Sequence, residues 1–406
     1  MTAAQGTVAE GSAPAGTGEA GTPAETGVWS ELVGQDRAIA QLRRAAVPGS
    51  GSMTHAWLLT GPPGSGRSNA ARAFAAALLT PDHGESRSPA AERALRGIHE
   101  SMTVLSTQKS VITIDEVREL VATAHQSPVN APWRVVIIED ADRMSERTSN
   151  VLLKAIEEPP PATVWILCAP SQQDVLTTIR SRCRSVSLRV PSADAVAQLL
   201  VRRDGVDPQT ARWAAHASQS HIGRAKRLAL HPDARTEREF TLGIPAHLTS
   251  VGSTVRIAAR IVDVAKERAA ARTESRNAEE RDSLLRTLGV DAGGKIPPSA
   301  RSQIKRLEDE QKRRSVRARN DELDSIFIEL LSLYRDVLAH QLGSRTEFIN
   351  VEETERIARL AAESDETTTL MRIDVLRKAR ERLATNMAPA LVVEAAFIGL
   401  SNPWIV

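Results

Sequence analysis

Trp57-Leu58-Leu59-Thr60-Gly61-Pro62-Pro63-Gly64-Ser65-Gly66-Arg67-Ser68 reads as a short apolar strand, a glycine-rich turn and the opening of a helix. That order and spacing match a P-loop, whose glycines let backbone N–H groups turn inward around a phosphate at a helix N-terminus. Gly61, Gly64, Gly66, Arg67 and Ser68 are therefore candidate nucleotide-binding residues. The usual lysine is replaced by Arg67, and a planar guanidinium does not substitute for a compact ammonium against β- and γ-phosphates. Binding of ATP with Mg²⁺ is left open by that change.

The second half of such a site is an acidic pair at a strand end, and Val135-Val136-Ile137-Ile138-Glu139-Asp140 supplies one. Its order is inverted: the usual arrangement is Asp, which helps hold Mg²⁺, followed by Glu, which polarises the attacking water. The shorter Asp140 in the second place leaves a general base about one methylene short of its task. Two readings stand, a degenerate catalytic pair and two carboxylates that merely solvate a strand end.

Outward from these motifs, residues 28–190 alternate helical patterns with short apolar runs, the signature of a parallel α/β sheet. The strands are expected at Ala56–Thr60, Met102–Leu105, Val135–Ile138, Val164–Cys168 and Ser185–Val190. Helices are expected around Arg37–Ala46, Ser68–Leu79, Ile114–His125 and Ser149–Ile156, each with apolar residues at three-to-four spacing. After Pro191 the strand-like runs stop. Residues 191–240 read as a small helical domain, broken at Gly205, Pro208 and Gly223, and 241–406 as a larger helical domain. In the latter Phe327, Leu330, Leu331, Tyr334, Val337 and Leu338 share one helical face. The cluster Gly293-Gly294 to Pro297-Pro298 punctuates a charged insertion at about 266–320 and predicts a loop or hairpin rather than one rod. Residues 1–27 are Ala, Gly, Thr, Pro and Glu with almost no large apolar side chain, so they cannot offset their ordering entropy and are read as a disordered tail.

Composition narrows the class. The chain of 406 residues is 41% apolar and 25% charged, ordinary globular values consistent with two or three domains. Aromatics at 3% argue against a stacking platform for single strands. The net charge of +2 means that any nucleic-acid contact must come from a local patch. Residues 256–319 hold 17 Lys/Arg against 10 Asp/Glu, either a solvated helical hairpin or a phosphate-contacting surface. Cys168 and Cys183 are the only cysteines and form no Cys-x-x-Cys pair, so no zinc site is expected. A cytoplasmic protein is expected, with no membrane partner. No apolar run approaches the roughly 18 to 20 residues of a membrane span, and the start lacks the layout of a signal peptide.

Several segments together resemble the clamp-loader branch of the AAA+ ATPases. Val33-Gly34-Gln35-Asp36 looks like the box that precedes the nucleotide site in that family, and His55-Ala56-Trp57-Leu58-Leu59-Thr60-Gly61 like its approach to the P-loop. Asn150-Val151-Leu152-Leu153-Lys154-Ala155-Ile156-Glu157-Glu158-Pro159-Pro160 is similar to the Leu-Leu-Lys-x-x-Glu-Glu-Pro-Pro segment of the same group. Ile179-Arg180-Ser181-Arg182-Cys183 carries its Ser-Arg-Cys motif, and Asn386-Met387-Ala388-Pro389-Ala390-Leu391 resembles its last collar helix. The resemblance implies an AAA+ domain, a small helical lid and an all-α collar that assembles with sister subunits. It also implies ATP-dependent loading of a sliding clamp onto primed DNA, with clamp-loader ATPase subunits, a delta subunit, the clamp and primer-template DNA as partners. Arg182, with Ser181 and Cys183 of its motif, is then the candidate catalytic residue, an arginine donated in trans to a neighbour's γ-phosphate.

Departures from the family pattern favour a subunit with little or no ATPase activity of its own. Trp165-Ile166-Leu167-Cys168-Ala169-Pro170 lacks the sensor threonine, Ile222-Gly223-Arg224-Ala225 puts glycine where a sensor arginine is expected, and Glu85–His99 carries none of the cysteines of the family's zinc module. The alternatives are the hydrolysing motor subunit and a P-loop recombination or restart factor acting on DNA by itself.

Overall fold

The computed structural model describes residues 27–106, 111–287, 298–385 and 387–404. The expected tail lies outside them apart from Gly27, as do Asn386 and the Gly293-Gly294 cluster up to Pro297.

Five parallel strands, β1 (Ala56–Thr60), β2 (Met102–Leu105), β3 (Arg134–Ile138), β4 (Thr163–Ala169) and β5 (Arg184–Ser187), form one sheet in the order β2-β3-β4-β1-β5. The three central strands are buried at every residue because helices cover both faces. Alternate side chains go to opposite faces. Trp57, Leu59, Val135, Ile137, Val164 and Ile166 pack under α1 (Asp36–Ala46), α2 (Arg67–Leu79) and α3 (Pro89–Leu95). Leu58, Val136, Ile138, Trp165 and Leu167 pack under α4 (Ile114–Ala124), α5 (Glu146–Glu157) and α6 (Thr177–Arg180). The alanines 70, 71, 73, 75, 76 and 77 of α2 are all buried, and such small side chains let the helix lie close over the strands. Each predicted strand and helix is present. The last strand is shorter than its apolar run suggests, ending at Ser187, because beyond it the Gln35 amide replaces a strand partner: Arg189 N–H donates to its Oε1 and its Nε2 donates to Arg189 O. The short helices α3 and α6 carry too few apolar residues to show a period.

Three helices follow, α7 (Ala193–Asp204), α8 (Pro208–Ala217) and α9 (Ile222–Leu230), around a core of Val196, Leu200, Ala214, Ala225 and Leu228. Gly205 ends α7 at a φ of 66°, as expected. Gly223 does not break the chain. It lies inside α9, and the turn is made instead by Gln219 and Ser220, whose φ angles are 52° and 62°. Next, α10 (Pro232–Gly243) gives Ala234 to that core and Leu242 to the helices beyond.

The remaining helices are α11 (Val251–Thr287), α12 (Pro298–Gln341), α13 (Thr354–Ala362), α14 (Glu366–Leu383) and α15 (Pro389–Ser401). The pairs Arg272–Glu322, Arg314–Glu280 and Arg281–Glu308 show that α11 and α12 run antiparallel, the hairpin expected from the sequence. Of the predicted apolar face, Phe327, Leu330, Tyr334 and Val337 are fully buried and Leu331 and Leu338 half-buried. The protein is thus α/β with a five-stranded parallel sheet, followed by an all-α region. Among the described residues no helix is long and apolar enough to cross a membrane.

Candidate functional site

The P-loop sits at the carboxyl end of β1, where an open α/β sheet places its ligands. Gly64 and Gly66 hold φ angles of 87° and 85°, a region that costs other residues strain. A side chain at Gly61 would come within 2.6 Å of Ser65 Oγ and 2.8 Å of Leu188 O. Ser68 follows in the first turn of α2, half-buried. Arg67 does not project freely from the loop: its Nη1 donates to Gly61 O at 2.7 Å, closing the guanidinium across the turn.

The acidic pair is similarly engaged. Arg72 of α2 meets Glu139 Oε1 at 3.0 Å. Asp140, at a φ of 55°, faces Arg317 of α12 at 3.5 Å and Arg143 at 3.8 Å. Asp142 completes the carboxylate group. Burial pushes its carboxyl up, the Asp140 charge adds to this, and Arg143 and Arg67 pull the other way. The structure therefore brings Gly61, Gly64, Gly66, Arg67, Ser68, Glu139 and Asp140 into one region, but with arginines at the places where a nucleotide and its metal need free carboxylates and a free cation. This arrangement does not fit Mg²⁺-ATP hydrolysis. Burial pushes the Cys168 thiol, and separately that of Cys183, up to about 12, which disfavours the reactive thiolate at both.

His221, in the turn before α9, packs over Gly64, where an added Cβ would stand 3.1 Å from its Cδ2. Arg224 of α9 turns away to Glu329 of α12 at 2.7 Å, so the arginine next to the expected sensor position serves the helical region. Burial, and then Arg224, holds the His221 imidazole below the ordinary histidine range. The unfolded chain therefore takes up this proton first as pH falls. Stability contributed by neutral His221 is present above the unfolded histidine pKa of about 6.5 and is lost below it. Thermal melting should show a fall in midpoint on acidification through this range, shallower in His221→Asn. Equal slopes in the two proteins would refute the assignment.

Arg182 belongs to a separate cluster. It follows α6, its Nη2 lies 2.7 Å from Glu157 Oε1 at the end of α5, and its Nη1 donates to Thr178 O at 2.9 Å. Ser181 Oγ donates to the same carbonyl at 3.0 Å, and Cys183 packs against the core beneath α4 and α5. The side chain of Arg182 is 41% exposed. No described hydrogen bond or ion pair joins Arg182 to the P-loop, Glu139 or Asp140.

Sequence reasoning missed Arg72, Asp142, Arg143, Glu157, His221 and Arg317. Asp142 was readable two residues after the acidic pair, and Glu157 lies inside a quoted motif. Arg72, His221 and Arg317 reach the site only through the tertiary fold. Among the described residues no three of His, Cys, Asp and Glu converge as metal ligands.

Residues 34–192 match the model of a family described as DNA polymerase III, delta subunit. The chain is 31% identical over 186 residues to DNA polymerase III subunit gamma/tau of Mycobacterium tuberculosis H37Rv, covering 43% of this chain and 31% of that protein. It is 31% identical over 192 residues to subunit delta' of Pseudomonas aeruginosa, covering 44% of this chain and 52% of the relative. It thus spans about a third of the one and about half of the other. Among solved structures, a Thermotoga maritima gamma subunit-related protein superposes with a TM-score of 0.35 at 18% identity, over 85% of this chain and 99% of that one. The matched segment, which carries the five-stranded sheet and its P-loop, is thus similar to the DNA polymerase III delta subunit family and to the gamma/tau and delta' subunits of DNA polymerase III.

Proposed function

We propose that this chain is a delta-prime-type subunit of the clamp loader. Its AAA+ domain at 28–190, lid at 191–240 and collar at 241–406 stand in a ring beside ATPase subunits and a delta subunit. In that ring it assists ATP-dependent loading of the sliding clamp onto primed DNA, in the cytoplasm. Arg182 is its catalytic contribution, given to a nucleotide bound by a neighbour.

The observation that supports this reading best is the contrast between two clusters. Within its own nucleotide site Arg67 is bonded to Gly61 O, Glu139 is paired with Arg72, and Asp140 is paired with Arg317 and Arg143. Arg182 is instead tethered at an exposed surface by Glu157. A charge held in place before a partner arrives needs little reorganisation to stabilise a transition state.

The isolated chain is accordingly expected to turn over ATP at no more than background. Steady-state phosphate release from the purified protein tests this. Robust turnover that disappears in Arg67→Ala would assign the chain to the hydrolysing motor subunit, and binding to recombination intermediates much tighter than to plain duplex would favour a restart factor.

A further inference from the structure

The outer half of α12 carries a row of cations for which neither the family match nor the nucleotide site accounts. Arg301, Lys305, Lys312 and Arg319 lie at offsets of 0, 4, 11 and 18. At about 100° per residue these fall within a sector of about 40°, and at 1.5 Å per residue the row is about 27 Å long. Arg301, Lys305 and Lys312 are exposed and Arg319 is half-exposed. Among the described residues none of the four meets a carboxylate. Arg319 donates only to the neutral Asn320 Oδ1, at 3.2 Å.

The row's direction is fixed by what surrounds it. The α11 side of α12 is marked by buried Ile304 and by Gln311 and Arg314, which bond to Asn277 and Glu280. The side toward the sheet unit is marked by Arg317, about 160° from the row, which reaches Asp140. The cations therefore face away from the sheet unit and lie beside the edge of the α11 contact. Two carboxylates flank them: Glu308, about 20° from Arg301, is taken by Arg281 at 3.4 Å, and Asp309 stands about 40° beyond Lys305. Past Arg319 the same face enters the helical core at Leu323 and Ile326. A merely solvated face needs polar residues but no preference of sign, and here the sector is cationic from one end to the other.

We infer that this ridge is a docking surface for the sugar-phosphate backbone of duplex DNA, separate from the nucleotide site and not dependent on the subunit assignment. A straight row of separated point charges without an aromatic platform suits a regular polyanion and gives no base readout. Four neutralised phosphates predict a slope of about −3.6 for the logarithm of affinity against the logarithm of salt, or about a 150-fold loss between ~50 and 200 mM salt.

The test is fluorescence anisotropy of the full chain with a labelled mixed-sequence duplex, titrated across that salt range. The variant Arg301→Gln/Lys305→Gln/Lys312→Gln/Arg319→Gln should lose most of this slope with its circular dichroism unchanged. Arg301→Lys/Arg319→Lys, which keeps the charges, should retain it. If the fourfold variant unfolds, single Lys305→Gln and Lys312→Gln substitutions should each reduce the slope by about 0.9. Equal salt dependence of variants and parent would overturn the inference. So would polyglutamate binding the ridge as tightly as the duplex does, which would mark it as a site for an acidic protein.

Discussion

Arg182→Ala is expected to leave the chain folded and assembled while slowing hydrolysis at the neighbouring subunit's site by about 10³-fold or more. The fold should survive because the side chain is 41% exposed and its partner Glu157 39% exposed, so truncation strands no buried charge. The rate should fall because a guanidinium aimed at a γ-phosphate favours the charge of the transition state over that of the ground state. Other sites of a ring keep their own arginines, so the bulk rate falls less than the rate at the affected interface. The measurement is clamp- and DNA-stimulated phosphate release from a reconstituted complex, with assembly followed separately by gel filtration. An assembled mutant complex with unchanged hydrolysis would reduce Arg182 to a surface residue that closes the end of α6.

Arg238→Ala should destabilise the protein by about 3–5 kcal/mol, the cost of breaking a buried ion pair from one side. Arg238 of α10 is 5% exposed. Its guanidinium meets Glu329 of α12 at 3.0 Å, Glu352 at 2.5 Å and the Asn350 Oδ1 at 2.5 Å. Asn350 is itself held by the fully buried Asp336. Removing the arginine leaves Glu329 without its buried counterion, and Arg224 alone remains to it. Chemical denaturation followed by helical circular dichroism checks the loss. A change under about 1 kcal/mol would show that water replaces the guanidinium at little cost. The double variant Arg238→Met/Glu329→Gln should recover part of the stability, since it removes both charges together.

The sheet was legible because its strands are apolar runs with the Gly61–Gly66 turn to set their phase, and the boundaries agree to within a residue or two except at β5. There the limit comes from Gln35, whose amide takes over backbone partners from a distant point in the chain. The candidate site was legible as a set of motifs but not as a state. Arg67 could be seen to replace a lysine, yet its bond to Gly61 O, and the occupation of Glu139 by Arg72 and of Asp140 by Arg317, depend on which helices pack where. Periodicity reports which side of a helix is buried and says nothing of the partner that buries it. For the same reason Gly223 looked like a break: glycine marks turns in sequence, whereas the turn here was taken by Gln219 and Ser220.

The edge strands of the sheet restrict how anything can attach to it. Both β2 and β5 are four residues long, and on β5 the outward carbonyl of Ser185 already accepts from Gln41 of α1 at 3.4 Å. Gln35 caps the line just beyond, and Arg184 sends its guanidinium to Ser52 O and over the Trp57 ring. A visiting strand would find few vacant backbone groups and a cation in its path. Subunit recognition by strand addition is thereby closed off on this side, and extended peptides that mimic such a strand should make poor inhibitors of assembly. On this side, specificity would have to be written in side chains on helices and loops, where single substitutions can separate one contact from the next.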